Sequence, residues 1–575
     1  MSKLYHYIRP YLKWVIIAPL FMVVEVMCDL MQPTLMSDII DKGVAAGDMS
    51  VILRTGALMV LCALVGILGG IGNMFFSVKA SYGFARDLRS ALYRKIQSFS
   101  FANIDEFSTG SLVTRTTNDV TQVQNAFTQV LGMLVRSPLL CIGGVYHVLR
   151  INAELALVVL AAIPVLVVGF VVMFRLTNPL FRIVQERIDK INIVLQEDLA
   201  GVRVIKAFGR GAHEKQRFNN ANDQLTAIST KASRNMAIAF PMINILMNTT
   251  MLLMYWFGGR KVFAGEMQAG EIMAFTNYIT QILMSLTMSS FSLIFLSRAA
   301  VSIGRINEVL NTHPDIASGG NDRAAVRDGR VEFRNVTFAY PGQGGDPVLK
   351  DISFTAESGE TVAILGATGS GKTTLVSLIP RLYDPSAGEV LVDGVNVREY
   401  SLQKLRGRIG VALQKSLLFT GTIADNLRWG NPDAESAVVE EAAQIALAQD
   451  FIDAAPDGYT ALLGQGGVNL SGGQKQRLCI ARALVKHPAI LILDDSTSAV
   501  DLATEAQIQK RLKEVMGNMT VFIIAQRVSS VMDADKILVM DNGRIADIGT
   551  HEELKQRCDI YREIVVSQLG KEALD

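Results

Sequence analysis

Apolar residues crowd into six runs in the first 300 positions, at 14–36, 56–78, 131–149, 155–174, 238–258 and 272–296. Each approaches the roughly 20 residues that a helix needs to cross a bilayer. Two long polar intervals, 79–130 and 175–237, separate them and combine helix formers with basic residues. The first carries Arg86, Arg89, Arg94 and Lys95; the second carries Arg182, Arg187, Lys190, Arg203, Lys206, Lys215 and Arg217. The links at 40–55, 150–154 and 259–271 are short. Basic loops stay on the cytoplasmic side, so the long intervals and both termini are assigned there. The pattern predicts an α-helical membrane bundle over 1–310, six transmembrane helices with long cytoplasmic extensions, and excludes a soluble protein. The opening MSKLYHYIRPYLKW is basic but has no small-residue cleavage site before the first apolar run. An amphipathic helix at the inner membrane surface is therefore expected rather than a removable signal.

Past residue 310 the pattern changes. NTHPDIASGGNDRAAVRDG (311–329) is rich in Pro, Gly, Asp and Asn and reads as a linker. From Arg330 to Asp575, short strands (VEFRNVTFAY, TVAILG, EVLVDG) alternate with helical stretches, which predicts an α/β domain on a largely parallel sheet. A net charge of +1 argues against a general nucleic-acid binder. Cys28, Cys62, Cys141, Cys479 and Cys558 are scattered without a CxxC pair, so they are expected to be reduced apolar fillers.

The chemistry concentrates in the second half. GATGSGKT at 366–373 fits G-x-x-x-x-G-K-[ST], follows the strand-like TVAIL and precedes the helix-like TLVSLIPRL (374–382). Its glycines let successive N–H groups turn toward a polyphosphate, and the following helix adds a favourable dipole. Lys372 is positioned to reach the β/γ-phosphates and Thr373 to ligate Mg²⁺. The nucleotide-binding candidates in this loop are Gly366, Gly369, Ser370, Gly371, Lys372, Thr373 and Thr374. LSGGQ follows at 470–474, and then the apolar strand AILIL (489–493) ends in Asp494. A carboxylate at a strand terminus suits Mg²⁺.

With these motifs in this order, the chain resembles a half-transporter of the ABC exporter family over nearly its full length. The α/β domain is then a P-loop ATPase cassette. The resemblance assigns Tyr340, which ends VTFAY, to adenine stacking, and Gln414 in GVALQKSLLF to Mg²⁺ or the lytic water and to contact with the membrane domain. It assigns Ser471, Gly472, Gly473 and Gln474 of LSGGQKQR to the γ-phosphate of ATP held by an opposite cassette, and SAVD (498–501) to communication between cassettes. FSTGSLVTRTTNDV (107–120) resembles the first intracellular loop, whose short transverse helix presses on a cassette. EDLAGVRVIKAFGRGAHEKQRF (197–218) resembles the second, which contacts the partner's cassette.

Two catalytic positions depart from the family pattern. Asp495 stands where the family has a glutamate that polarises water, and it is shorter by about 1.5 Å. Gln526, in VFIIAQRVSS, stands where the family has a histidine. It can hydrogen-bond a phosphate but cannot carry a proton. Gln465 stands where many exporters have a glutamate. Both catalytic changes act on the same phosphoryl-transfer step, so the chain resembles the degenerate-site subunit of bacterial heterodimeric multidrug exporters. Tolerated drift in a slowly hydrolysing homodimer, a regulatory ATP-binding subunit with little turnover, and a homodimeric lipid or peptide exporter are the other readings; a leader-processing peptidase domain is not expected. The resemblance implies ATP and Mg²⁺ as cofactors and efflux of hydrophobic or amphiphilic, drug-like compounds across the inner membrane. The implied partners are a second half-transporter, the transported compound and membrane lipid.

Glu25 and Asp29 share one helical face in the first apolar run, where ionised groups are costly and often functional. They would favour cationic substrates if they faced a cavity, and would serve packing near an interface. Met242, Met247, Met251, Met254, Met284 and Met288 suit an adaptable apolar cavity, but ordinary packing is the simpler expectation.

Overall fold

Six long helices carry the six apolar runs: Leu12–Asp38, Met49–Gln97, Met133–Ile151, Ala153–Ala200, Ala239–Phe263 and Ala269–Asn311. The computed structural model describes residues 2–316, 318, 325–340, 346–515, 517–570 and 572, so positions 317 and 319–324 of the expected linker lie outside the described residues. Among the described residues, five helical spans contain windows long and apolar enough to cross a membrane. The sixth helix carries threonine hydroxyls along its apolar run. Its hydroxyls return to the preceding turn, Thr276 to Ile272 O, Thr280 to Thr276 O and Thr287 to Leu283 O, at 2.8–3.0 Å, which hides them from an apolar surrounding. Met49–Gln97 has 49 residues, about 73 Å at 1.5 Å each, well beyond a hydrocarbon core of about 30 Å. The expected helical extensions are present.

The chain divides into two units, one of residues 1–97 with 110–311, the other of 98–109 with 312–575. The first unit packs around Met22, Val26 and Leu30 of the first helix and Phe275, Tyr278, Ile279 and Ile282 of the sixth. Tyr278 is fully buried, donates to Leu30 O at 2.5 Å and accepts from Thr34 Oγ1. Gly144 on the third helix allows close approach, since a Cβ there would sit 2.7 Å from Ile282 Cγ1. Below the membrane-length segments, the fully buried Asp119 accepts from Arg305 Nε at 2.7 Å and Ser302 Oγ at 2.9 Å, tying two helical extensions together.

Glu25 and Asp29 do not stand bare. Arg136 Nη2 lies 3.3 Å from Glu25 Oε1 and 2.8 Å from Asp29 Oδ2, so one guanidinium bridges two carboxylates a helical turn apart. Gly70 makes room, because a Cβ there would lie 3.1 Å from Glu25 Oε2. Of the two readings given above, this pairing matches the one in packing. Of the methionines, Met254 is fully buried while Met242, Met284 and Met288 are exposed, so they share no single role.

The second unit holds a six-stranded sheet in the order Arg544–Gly549, Lys536–Asp541, Thr361–Gly366, Thr520–Ile524, Ile490–Asp494, Ile409–Ala412. It is parallel except for its first edge pair. A second, antiparallel sheet runs Leu349–Ala356, Val331–Phe338, Ala387–Val392, Val395–Asn396. Thus VEFRNVTF and EVLV, expected in a largely parallel sheet, belong to the antiparallel one. The physical reason is burial. Ile490–Asp494 is buried throughout, whereas Val331–Phe338 alternates buried and exposed positions, as one-sided antiparallel strands do.

The first intracellular loop also differs from expectation. The short helix that groups with the second unit is Phe101–Phe107, ahead of most of the 107–120 stretch. Ser100 caps it by accepting from Asn103 N, while the Asn103 side chain accepts from Ser100 N.

Candidate functional site

The strand Thr361–Gly366 runs in the sheet interior and delivers the 366–373 loop at its carboxyl end, where α/β sheets place their ligands. Two glycines are forced by space. A Cβ at Gly366 would lie 2.3 Å from Met540 O, and Gly371, with φ 99°, would place one 2.8 Å from Leu349 Cδ2. The helix Lys372–Ser377 follows and stops five residues short of the expected Leu382. Pro380 offers no N–H to continue it, and the chain turns instead through Leu378→Leu375 and Ile379→Val376 bonds.

Lys372 Nζ donates to Gly366 O and Ala367 O at 2.8 Å each. Burial pushes its pKa down, against the pull of Asp495 and Asp494. Thr373 Oγ1 donates to Asp494 Oδ1 at 3.0 Å. Tyr340 OH and Thr374 Oγ1 are 2.9 Å apart, which places the aromatic ring beside the loop. Ser370 Oγ is buried without a hydrogen-bond partner among the described residues. An ammonium, two hydroxyls and a buried carboxylate beside a glycine loop fit a polyphosphate and its divalent ion.

Asp494 ends the fully buried strand and is 2 % exposed. Burial chiefly raises its pKa; the Thr373 bond and Lys372 oppose this, and Asp495 adds to it. Asp495 sits at φ 46° and donates its N–H to Ile524 O at 3.0 Å. Its carboxyl is raised by burial too, opposed first by a bond from Gln414, then by Lys372 and Gln526. Gln526 Nε2 donates to Asp495 Oδ2 at 3.0 Å, so these two side chains touch. Gln568, on the helix Asp559–Leu569, holds the loop: its Nε2 donates to Gln526 O and its Oε1 accepts from Val528 N, both at 2.8 Å.

Tyr340, Lys372, Thr373, Thr374, Gln414, Asp494, Asp495 and Gln526 therefore form one constellation. Ser471, Gly472, Gly473 and Gln474 stand apart from it, with no described hydrogen bond to the loop or the two aspartates. Ser471 caps the helix Gly472–Leu484 with a reciprocal bond to Gln474. The glycines there answer to packing, since a Cβ at Gly473 would lie 3.0 Å from Ala499 O. The free N–H groups at this helix start suit an anion.

One residue was not legible beforehand. Tyr383, in RLYDPSAGEV, packs edge-on against Tyr340 at 5.3 Å and donates to Asp105 Oδ2 at 2.7 Å. Phe101 adds a ring contact at 6.1 Å. Tyr340 and the Phe101–Phe107 helix are thus joined through one phenol. Burial and Asp105 raise the Tyr383 pKa well above the usual range, so the phenol remains a donor. Tyr383→Phe removes one hydrogen bond worth about 1 kcal/mol. Amides of Phe101–Phe107 are then expected to exchange roughly fivefold faster in hydrogen-exchange mass spectrometry, with the Lys372–Ser377 helix unchanged.

Comparison with known proteins agrees with this geometry. The ABC transporter transmembrane region matches residues 15–286, and the ABC transporter family matches residues 349–498. The chain is 40% identical over 574 residues to YfiB of Bacillus subtilis (strain 168), named an uncharacterized ABC transporter ATP-binding protein, covering 100% of this chain and 99% of that one. It is 35% identical over 531 residues to an ATP-dependent lipid A-core flippase of Pseudomonas aeruginosa, covering 92% and 87%. A solved bacterial Atm1-family ABC exporter with ATP bound aligns with a TM-score of 0.79 at 25% identity, covering 98% of each chain.

Proposed function

The chain belongs to the ABC transporter family as an exporter half-transporter, and we propose that it carries the weaker ATP site of a two-chain exporter. The observation that carries this reading is the 3.0 Å bond from Gln526 Nε2 to Asp495 Oδ2. A shortened carboxylate is paired with an amide that cannot take a proton, at the position where water must be oriented and charge stabilised.

The binding parts have the right chemistry. Lys372 neutralises phosphate charge, the Gly366–Thr374 loop presents N–H groups, and Tyr340 offers its ring to the base. Thr373, Asp494 and Gln414 would hold Mg²⁺, which would supply charge neutralisation on the phosphates. Asp495 orients water from a shorter reach, and Gln526 donates a neutral hydrogen bond. Ser471, Gly472, Gly473 and Gln474 serve the ATP of the opposite cassette. Binding is retained while hydrolysis at this site is slow.

The membrane domain is taken as 1–310, the linker as 311–329 and the cassette as 330–575, with both termini on the cytoplasmic face of the inner (plasma) membrane. The cargo is hydrophobic or amphiphilic. An apolar groove of about 500 Å³ between the fourth and fifth helices, lined by Val165, Phe170, Met173, Met242 and Leu246 with no charged side chain, supports this, as do relatives named for lipid A-core flipping.

Native mass spectrometry of the tagged chain, purified from its own membranes, tests the assembly. The expected result is a heterodimer whose second chain has Glu and His at the positions of Asp495 and Gln526. A homodimer overturns it, because Asp495 and Gln526 would then support the whole cycle.

A further inference from the structure

Gln476 lies in the second turn of the Ser471-capped helix and is 4 % exposed. Both ends of its amide are used on a single loop. Its Nε2 donates to Ser498 Oγ at 3.1 Å, and its Oε1 accepts from Ala499 N at 2.9 Å. Ser498 Oγ in turn donates to Asp495 O at 3.0 Å. The same loop presses on the helix start, because Ala499 O is the nearest atom to a Cβ built on Gly473. Thr497 Oγ1 fixes the other flank by donating to Glu505 Oε1 at 2.6 Å, with Glu505 itself buried.

These bonds make an unbroken path from the signature helix to the backbone of the residue at the water-orienting position. A buried amide with both ends paired has one geometry, since any slip leaves polar groups unsatisfied in an apolar surrounding. We infer that Gln476 is a positioning residue for ATP hydrolysis. It locks the signature helix to the 495–499 loop, so that a movement of that helix is delivered to Asp495. It touches no nucleotide itself.

The inference rests on the ATPase of the family and does not depend on the asymmetric assembly proposed above. The loop serves Asp495 on one side and the signature glycines on the other. Loosening it slows turnover through Asp495 where the second chain is a copy, and through the signature glycines that complete the partner's site where it is a different polypeptide.

The test is steady-state ATP hydrolysis by the full purified transporter carrying Gln476→Met, which keeps length and packing but has no amide. The expected result is a kcat at least about tenfold lower, since a misplacement of about 1 Å can cost roughly 10²-fold, with the ATP KM within twofold. Adding Ser498→Ala is expected to lower kcat no further, because its hydroxyl acts through the same path. A kcat within twofold of the parent overturns the inference, even if thermal stability has dropped, and so do losses that multiply in the double variant. Gln476→Glu keeps the acceptor for Ala499 N but loses the donor to Ser498, so its kcat is expected between those of the parent and Gln476→Met. It carries the same test if the methionine variant does not assemble.

Discussion

Asp495→Glu combined with Gln526→His is expected to raise ATP hydrolysis at this chain's site by on the order of 10²-fold. The added methylene brings the carboxylate about 1.5 Å nearer its target, and the imidazole restores a group that can carry a proton. The frame around both positions accepts the change. Asp495 is held through its own N–H to Ile524 O, and the Gln526 backbone is held by Gln568 through Gln526 O and Val528 N. These bonds are to the main chain, so substituting either side chain leaves them in place. Single-turnover phosphate release from the purified complex, parent and double variant side by side, is the measurement. A double variant no faster than its parent removes the basis for a degenerate site.

Asp494→Asn is expected to move stability and activity in opposite directions. Burial raises the Asp494 pKa in the folded chain, so the folded state disfavours its charge relative to the unfolded state. That penalty is fully present above the folded pKa and disappears as pH falls through it toward the unfolded value of about 3.9. Asparagine has no charge to bury and still accepts from Thr373. The nucleotide-free variant should therefore melt higher at pH 8, at about 2–4 °C per kcal/mol for a domain of this size, and the gap should close toward pH 4. Hydrolysis with Mg²⁺ should fall by about 10²–10³-fold, the equivalent of several kcal/mol of charge stabilisation. Melting scans across pH beside ATPase assays check both arms. A variant that melts lower at pH 8 contradicts the burial argument.

The phosphate loop was legible because its constraints are local. Gly366 and Gly371 are dictated by atoms that any chain of this fold brings close, and Lys372 and Thr373 follow in register. The membrane runs were legible because length and apolarity suffice. The antiparallel sheet was not, because three short β-rich segments have similar composition and only burial on one face or two tells them apart. The capping pair that starts the Phe101–Phe107 helix uses Asn103 where the usual signature has Glu or Gln, so its boundary escaped. Tyr383 with Asp105, and Arg136 with Glu25 and Asp29, meet across long stretches of chain. No local pattern announces such pairs.

The Arg136 bridge has a consequence for how the bundle can move. Sliding the first helix along the third by one turn would strand a carboxylate or the guanidinium in lipid, where an unpaired charge is expensive. Gly144 against Ile282 and Tyr278 against Leu30 fasten the sixth helix to the same pair. The first, third and sixth helices are thus fastened to one another as a keel, with the second packed along the first. The fourth and fifth helices face each other along a groove with no charged side chain, and one ion pair joins them, Lys261 Nζ to Glu154 Oε2 at 2.6 Å. Sliding along that groove breaks this one ion pair, whereas slippage within the keel breaks the hold of Arg136 on two carboxylates.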